Sequence, residues 1–374
     1  MGKTYKNYIE YVFMVLCICL VSGTVNGDDK HQTNQDVFGR DNAIHVAVVA
    51  CGNDDRVLET LVNIKSMVIF TKKPIKFHIF TEDTLKDKFL QTLGSWPVTV
   101  QSKFSFQLHS VTYPEDGNQH QWKKLFKLCA SQRLFLPHIL SDIDSLLYVD
   151  TDILFISPVE DIWKFFSKFN STQFSAMSPE HENRNSDWYS RFARHPYYGA
   201  TGINSGVMLM NMTRLRQIKF KNDLKLLDPS WNEMLLPLYK KYRLNITWGD
   251  QDLLNIIFHY NPEMLFTFPC KWNYRPDHCM YMPICKSANQ EGVKVLHGCR
   301  RAFQEGTKWP TFRAVYKAIE DYNFNGDIST IFAAVKTNLE ALDKTHCTKN
   351  SYTILNTLKT MIQPEGNENL HGEL

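Results

Sequence analysis

Apolar runs alternate with amphipathic segments along the first half of the chain. Continuous or alternating apolar stretches predict strands at 44–52, 76–81 and 104–111. Apolar residues at helical spacing predict helices at 58–70, 84–93 and 122–140, the last kinked or ended by Pro137. A further apolar, strand-like run follows at 145–155. Because strands and helices alternate in this order, the pattern predicts a doubly wound α/β sheet.

The second half of the chain is less regular. It predicts strands at 204–211 and 293–298 and helices at 159–169, 231–242, 252–259 and 311–321. Beyond residue 325 the composition is helical but carries no chemical signal. Residues 28–41 are polar and unpatterned, which indicates a stem or linker ahead of the folded region.

The amino-terminal segment predicts entry into the secretory pathway. Lys3 and Lys6 precede an apolar run at 11–21, and small and polar residues follow it, which is the order found in a secretory signal. Cleavage of this signal would leave a soluble luminal or secreted protein. If residues 8–25 are instead retained as an anchor, the positive charges place the body of the protein in the lumen.

Sequons and cysteines agree with a luminal location. Glycosylation sequons begin at Asn170, Asn211 and Asn245. Seven of the nine cysteines follow the amino-terminal segment, so we expect some to pair in an oxidising lumen and at least one to be left over. Cys279 and Cys285 enclose a short proline-containing loop and are the candidate disulfide. A zinc site is disfavoured because the chain has no Cys-x-x-Cys pair.

Composition narrows the classes of function. A chain of 374 residues, 43% hydrophobic, has room for one large α/β domain or two average ones. A formal net charge of +3 is too small to argue for binding of nucleic acid. The glycine-rich dinucleotide fingerprint and the phosphate-binding P-loop are both absent from the sequence. A bound phosphate would therefore have to be held in another way, and a metal ion is the natural candidate.

Two aspartates interrupt the apolar run at 145–155. An isolated buried charge is unfavourable, so we expect a strand to end at Val149 and to present Asp150 and Asp152 at its carboxyl edge, where open α/β sheets bind ligands. Two carboxylates there suit Mg²⁺ or Mn²⁺ carrying a phosphorylated ligand, and an Asp-rich turn is the alternative. His297, at another strand end, is either an imidazole ligand or a surface or hydrogen-bonded residue.

Other polar residues interrupt apolar segments. Asp250, Gln251 and Asp252 stand at a predicted helix start, where an N-cap explains one aspartate but not the whole set. Asn204 opens a predicted strand, where it either lines a cleft or belongs to a plain turn. Arg133 lies in an otherwise apolar helix and needs a carboxylate or phosphate partner.

Taken together, these residues resemble glycosyltransferase family 8, retaining enzymes of the GT-A fold that use UDP-sugars and Mn²⁺. The resemblance covers about 44–316 and is closest to the glucoside xylosyltransferases. The segments that carry it are 48–52, 76–83, 122–127, 145–152, 188–196, 204–211, 248–255 and 272–281. It implies a GT-A type doubly wound mixed sheet, with a Rossmann-like nucleotide-sugar half and an acceptor half, in a single luminal domain.

The resemblance also implies a reaction and roles for residues. The reaction is transfer of xylose from UDP-xylose, in α1,3 linkage, to glucose that is O-linked to EGF-like repeats such as those of Notch. The implied Mn²⁺ ligands, with Mg²⁺ as the alternative ion, are Asp150, Asp152 and His297. The implied donor contacts are Ala50, Cys51 and Gly52 for uridine and Arg133, Asn204, Asp250 and Gln251 for the sugar.

The sequence after His297 departs from the family pattern, so the residue that contacts the diphosphate is not determined. The wider family often continues its metal histidine as His-x-x-Gly-x-x-Lys-Pro-Trp, whereas His297 here runs into Gly-Cys-Arg-Arg. Arg300, Arg301 and Lys308 are the candidates for the diphosphate contact.

For catalysis with retention, the clustered candidates beneath the anomeric carbon are Asp250, Gln251 and Asp252. Because glutamine is a poor nucleophile, we favour front-face attack, in which the departing phosphate accepts the proton of the acceptor. Candidate aromatic residues for stacking on the acceptor, equally compatible with the core, are Trp122, Trp188, Tyr189 and Trp272. The alternatives are another UDP-sugar donor (glucose or galactose) or a non-catalytic luminal sugar-binding protein.

The expected organisation is that of a single-pass type II membrane protein of the endoplasmic reticulum or Golgi. Its parts are a cytoplasmic tail at 1–7, a signal-anchor at 8–25, a stem at 26–42, a GT-A catalytic domain at 43–325 and a C-terminal tail at 326–374.

Overall fold

A mixed seven-stranded sheet forms the centre of the protein, whose computed structural model describes residues 43–115, 117–125 and 129–362. The strands are β1 Ile44–Ala50, β2 Ile75–Thr81, β3 Phe104–Ser110, β4 Ser145–Val149, β5 Ile153–Phe155, β6 Ser175–Pro179, β7 Ile203–Asn211, β8 Leu265–Thr267 and β9 Val295–His297. The longer helices are α1 Asp54–Phe70, α2 Asp83–Gly94, α9 Trp231–Tyr242, α10 Asp250–Tyr260, α12 Pro310–Asp321, α13 Ser329–Glu340 and α15 Tyr352–Ile362. The shorter helices are α3 Val98–Gln101, α4 Gln119–Lys124, α5 Leu136–Ile139, α6 Val159–Trp163, α7 Trp188–Phe192, α8 Met212–Gln217, α11 Lys286–Glu291 and α14 His346–Lys349.

The sheet has the order β3-β2-β1-β4-β7-β6-β8, and its first four strands are parallel. β7 runs antiparallel to both β4 and β6, so the sheet is mixed, as the sequence predicted. β1 and β4 are almost wholly buried because helices cover both faces of the sheet, which explains their near-continuous apolar sequences. β5 and β9 form a separate antiparallel pair in which Ile153 lies opposite His297. This pair brings the late strand to the end of β4.

The predicted helix at 122–140 is wrong. The described part of this segment consists of α4, a 3-10 turn at Ala130–Phe135, and α5. Cys129, just before the turn, has a left-handed backbone (φ 61°) and is joined to Cys51 by a disulfide. A left-handed residue cannot continue an α-helix, and Pro137 favours a new helical start. The amphipathic spacing of the sequence therefore did not reveal that the helix is interrupted before the 3-10 turn.

The disulfide prediction is also wrong. Among the described residues the pairs are Cys51–Cys129, Cys270–Cys285 and Cys279–Cys347. Cys285 precedes α11, which packs on the 3-10 turn that begins at Cys270, while Cys279 faces α14. The loop between Cys279 and Cys285 thus carries its two thiols towards different partners. Cys299 is the leftover thiol that the odd total required.

The described residues beyond 325 pack on the rest of the protein. Val335 of α13, together with Ile354 and Leu358 of α15, belongs to one buried cluster with Phe312 and Val315 of α12. The predicted boundary at 325 therefore does not coincide with a break in packing. The predicted cytoplasmic tail, signal-anchor and stem (1–42) and the last twelve residues (363–374) lie outside the described residues. Within the part described, none of the helices combines the length and apolar character needed to cross a bilayer.

Candidate active site

Three potential metal ligands meet where β4 ends. The strand stops at Val149, Asp150 and Asp152 follow, and the β5–β9 pair places His297 beside them. One ligand atom from each of the three side chains lies within 4.8 Å of the others, and His297 Nε2 is 3.4 Å from an Asp152 carboxylate oxygen. Two carboxylates and one imidazole form a donor set that fits Mn²⁺ or Mg²⁺.

The backbone is shaped around this cluster. Asp150 N–H donates to the carbonyl of Gly206 on β7 at 2.9 Å. A Cβ atom at Gly206 would lie only 2.4 Å from Cε1 of His297, so any larger residue would displace the imidazole. The glycine at this strand position is therefore required by close approach rather than by a turn.

A chain of buried amides supports His297. Its Nδ1 lies 2.8 Å from Oδ1 of Asn273, and Asn273 Nδ2 donates to Oδ1 of Asn204 at 2.8 Å. Asn204 Nδ2 in turn donates to Glu180, which also accepts from Arg275 Nη1 at 3.0 Å. Asn204, expected to contact the donor sugar, does line the cavity, and it also belongs to the network that holds the imidazole.

Arg133 connects the metal cluster with the start of α10. Its guanidinium forms ion pairs with Asp150 (3.2 Å) and with Asp250, and it donates to the carbonyl of Ser205 at 2.6 Å. It also lies 4.6 Å above the ring of Tyr148. Burial raises the pKa of Asp250 to about 6, with the charge of Arg133 opposing that rise. The sequence predicted a carboxylate or phosphate partner for Arg133, and in the structure the partners are the carboxylates of Asp150 and Asp250.

The three candidates at the start of α10 are placed differently. Asp250 and Gln251 line the cavity, and the Gln251 side-chain oxygen accepts from the backbone N–H of Ser205 at 3.1 Å. Asp252 is fully buried and does not line it. Its carboxylate accepts from the hydroxyl of Tyr189 (2.8 Å) and from the backbone N–H groups of Thr247 and Trp248. The structure thus places Asp252 outside the cavity as a support of the backbone before α10, and its expected catalytic role stays a prediction.

Some of the expected donor-binding residues line the cavity and others do not. Cys51 and Gly52 line the cavity, whereas Ala50 is buried beneath it with its carbonyl accepting from Thr81. Arg300 lines the cavity, pairs with Asp277 at 2.8 Å, and has a left-handed backbone (φ 62°), which is a strained conformation for a side chain of this kind. Lys308 is exposed, rests on the ring of Trp309 and does not line the cavity.

The cavity that joins these groups has a volume of about 760 Å³, ample for a nucleotide sugar. Lining residues that sequence reasoning missed are Asn53, Arg56, Glu180, Trp248 and Asp277. Arg56 is held by the buried Glu59 at 2.5 Å, and Asn53 caps α1. A polar run directly after the first strand was a usable signal for both, but nothing in the sequence singled out Glu180.

The aromatic candidates are separated by burial. Trp122, Tyr189 and Trp272 belong to the core, whereas Trp188 lines the cavity. Of the sequons, Asn170 is exposed, Asn245 is half-buried, and Asn211 caps α8 through its side-chain oxygen. Glycosylation at these three positions stays a prediction.

Comparison with known proteins agrees with this geometry. The family "Glycosyl transferase family 8" matches residues 47–299. Glucoside xylosyltransferase 2 of Mus musculus is 60% identical over 285 residues, 76% of this chain and 63% of that protein. Glucoside xylosyltransferase 1 of Gallus gallus is 54% identical over 321 residues, 86% of this chain and 73% of that protein. The chain thus spans less than two thirds of the length of the mouse relative.

A solved structure supports the fold. The galactosyltransferase LgtC in complex with donor and acceptor sugar analogs has a TM-score of 0.56 at 16% identity, and the match covers 74% of this chain and 95% of that one. At this identity the likeness shows the fold alone, and it confirms the predicted GT-A architecture. With a family match over more than half of its length, the chain belongs to glycosyl transferase family 8.

Proposed function

We propose that this protein transfers xylose from UDP-xylose, with retention and in α1,3 linkage, to glucose that is O-linked to EGF-like repeats such as those of Notch. One observation carries the proposal: the Asp150–Asp152–His297 cluster lines a single cavity together with Asp250 and Gln251, the residues expected to contact the donor. The names of the relatives at 54–60% identity, both glucoside xylosyltransferases, support the choice of sugar and acceptor.

The acidic cluster is suited to a nucleotide diphosphate only together with a cation. Asp150 and Asp152 would repel phosphate groups if no counter-charge stood between them. A divalent ion, Mn²⁺ in this proposal with Mg²⁺ as the alternative, would neutralise charge on the UDP leaving group. Arg56 and Arg300, both on the cavity wall, supply further positive charge near this cluster. Of the basic candidates considered for the diphosphate, Arg300 is therefore favoured over Lys308.

The placement of the α10 residues favours front-face attack. A double displacement needs a free carboxylate beneath the anomeric carbon, but Asp250 is paired with Arg133 and Asp252 is saturated by hydrogen bonds. Gln251 is held by Ser205 and donates to the hydroxyl of Tyr189. These residues can orient the sugar and stabilise positive charge at its ring. The departing phosphate oxygen then accepts the proton of the attacking hydroxyl.

Three disulfides among the described residues support a location in the secretory pathway, because cytosolic thiols are kept reduced. We propose that the catalytic domain faces the lumen of the endoplasmic reticulum or Golgi, anchored in the membrane by residues 8–25. A cleaved signal, with a soluble luminal or secreted product, is the alternative.

The proposal is tested with the purified full chain, Mn²⁺ and an O-glucosylated EGF-like repeat, incubated separately with UDP-xylose, UDP-glucose and UDP-galactose. A mass gain of one pentose, seen only with UDP-xylose, is the expected result. A mass gain of one hexose would show that the enzyme uses a different UDP-sugar donor. Binding of UDP without any transfer would contradict this acceptor and favour a sugar-binding protein.

A further inference from the structure

Two tryptophans form an aromatic wall in the cavity. Trp188, the first residue of α7, and Trp248, just before α10, both line it, with ring centroids 5.6 Å apart and planes at 76°. Trp248 is 39% exposed, and Phe192 beside Trp188 is 54% exposed. Large apolar rings exposed at the mouth of a cavity indicate a surface that a ligand covers.

Buried polar groups hold this wall in place. The fully buried carboxylate of Asp252 accepts from the backbone N–H of Trp248 at 2.7 Å and from the hydroxyl of Tyr189 at 2.8 Å. Asp187, also buried, caps α7 by accepting from the N–H of Ser190 at 2.8 Å. Neither aspartate lines the cavity. Two buried carboxylates are thus used to fix the backbone that carries the two indoles.

The wall stands beside the start of α10. In the sheet order β1-β4-β7, Cys51 and Gly52 follow β1, Asp150 follows β4, and α10 is tied to β7 by hydrogen bonds between Asn255 and the backbone of Ile203. The metal cluster therefore stands between the expected uridine end and the start of α10. The two tryptophans, which flank the start of α10, lie on the side of the cluster away from the expected uridine end.

We infer that Trp188 and Trp248 form the platform on which the acceptor pyranose stacks. An indole face is apolar and uncharged, which matches the C–H face of a neutral sugar and not a diphosphate, while the indole N–H can bind a hydroxyl. Phe192, whose ring centroid lies 6.2 Å from that of Trp188, continues the exposed aromatic surface. This inference rests on the proposed function, since it names the site at which the proposed glucoside binds.

The test compares full-length Trp248→Ala, Trp188→Ala and the conservative Trp248→Phe in Mn²⁺ and UDP-xylose. The alanine variants are expected to raise the KM for the O-glucosylated repeat about tenfold, the loss that removal of one aromatic stack gives. The KM for UDP-xylose should change far less, and Trp248→Phe should recover most of the acceptor affinity. Tyr352→Ala, at a 47% exposed position on α15, is the matched control.

A second readout keeps this inference separate from the reaction. Saturation-transfer NMR, with enzyme, Mn²⁺, UDP and the glucosylated repeat, reports contact with the glucose ring whether or not xylose moves. Loss of that contact in the alanine variants supports the platform even if transfer from UDP-xylose fails. Unchanged contact, an unchanged acceptor KM, or an equal rise in both KM values would overturn it, and in the last case the wall would belong to the donor site.

Discussion

Asn273 fixes the ring of His297 through a hydrogen bond of 2.8 Å between the amide oxygen and Nδ1. The amide nitrogen of Asn273 donates to Asn204, so its oxygen faces the imidazole as an acceptor. Nδ1 therefore carries the proton, and the lone pair of Nε2 points to Asp152. Such outer partners orient a metal-ligating histidine and tune its basicity. The hydrogen bond from Asn273 thus orients His297, the one neutral side chain of the cluster, for binding a metal ion.

Replacing Asn273 by Ala should weaken Mn²⁺ binding by about 10- to 100-fold, because the imidazole loses its orienting partner. Asn273→Asp keeps an oxygen that accepts from Nδ1 and should retain more affinity than the alanine variant. Mn²⁺ titration followed by electron paramagnetic resonance, without any nucleotide sugar, measures this directly. Equal Mn²⁺ affinity in the wild type and the alanine variant would show that the amide has no such role.

Arg133→Ala should destabilise the fold, because it leaves Asp250 buried without its positive partner. Breaking such a pair on one side costs about 3–5 kcal/mol of unfolding free energy. Asp250→Asn in the same chain should recover part of the loss, since the remaining side chain is then uncharged. Urea unfolding of the two single variants and the double variant gives the coupling. Arg301→Ala, at an exposed position, is the control. Additive effects would contradict the pairing.

Removing the Cys279–Cys347 cross-link should destabilise the packing of the C-terminal helices. With a sequence separation of 68 between the two cysteines, Cys347→Ser is expected to lower the free energy of unfolding by about 2–4 kcal/mol. Cys299→Ser removes the free thiol without removing a cross-link and should have a smaller effect. Peptide mapping under non-reducing conditions checks the pairing itself, and a Cys279–Cys285 peptide would refute it.

Acid should destabilise the protein through His78. Its pKa is held well below the usual value by burial and by the neighbouring His45, His109 and Lys76, so the folded state keeps the ring neutral. Below pH about 6.5 the unfolded chain binds a proton that the folded state does not, and stability falls by up to about 1.4 kcal/mol per pH unit. His78→Gln should flatten this slope in urea unfolding between pH 6.5 and 5, whereas His138→Gln, at an exposed position, should not. An unchanged slope in His78→Gln would contradict this prediction.

The sequence predicts the parallel half of the sheet well, because each of its strands is a short apolar or alternating run, and at the end of β4 the polar Asp150 and Asp152 mark the boundary. The sequence also predicts that Arg133 is paired, because a charged side chain in an apolar segment needs a partner. Chain-distant contacts escape such reasoning. The local sequence around Cys279 does not indicate that it pairs with Cys347. Nor does it distinguish Asp252, which supports the backbone, from Asp250, which lies in the cavity two residues earlier.

The most direct test of the account is the Mn²⁺ dependence of xylose transfer by Asp152→Ala beside the wild type. Asp152 contributes a carboxylate to the metal cluster, and its side chain is half-buried at the end of β4. We expect the variant to fold, with the circular dichroism spectrum of the wild type, and to lose pentose transfer at every Mn²⁺ concentration. Pentose transfer by the wild type should be lost in chelator and should return when Mn²⁺ is added. Transfer by Asp152→Ala that persists in chelator would contradict a metal-dependent site at this position.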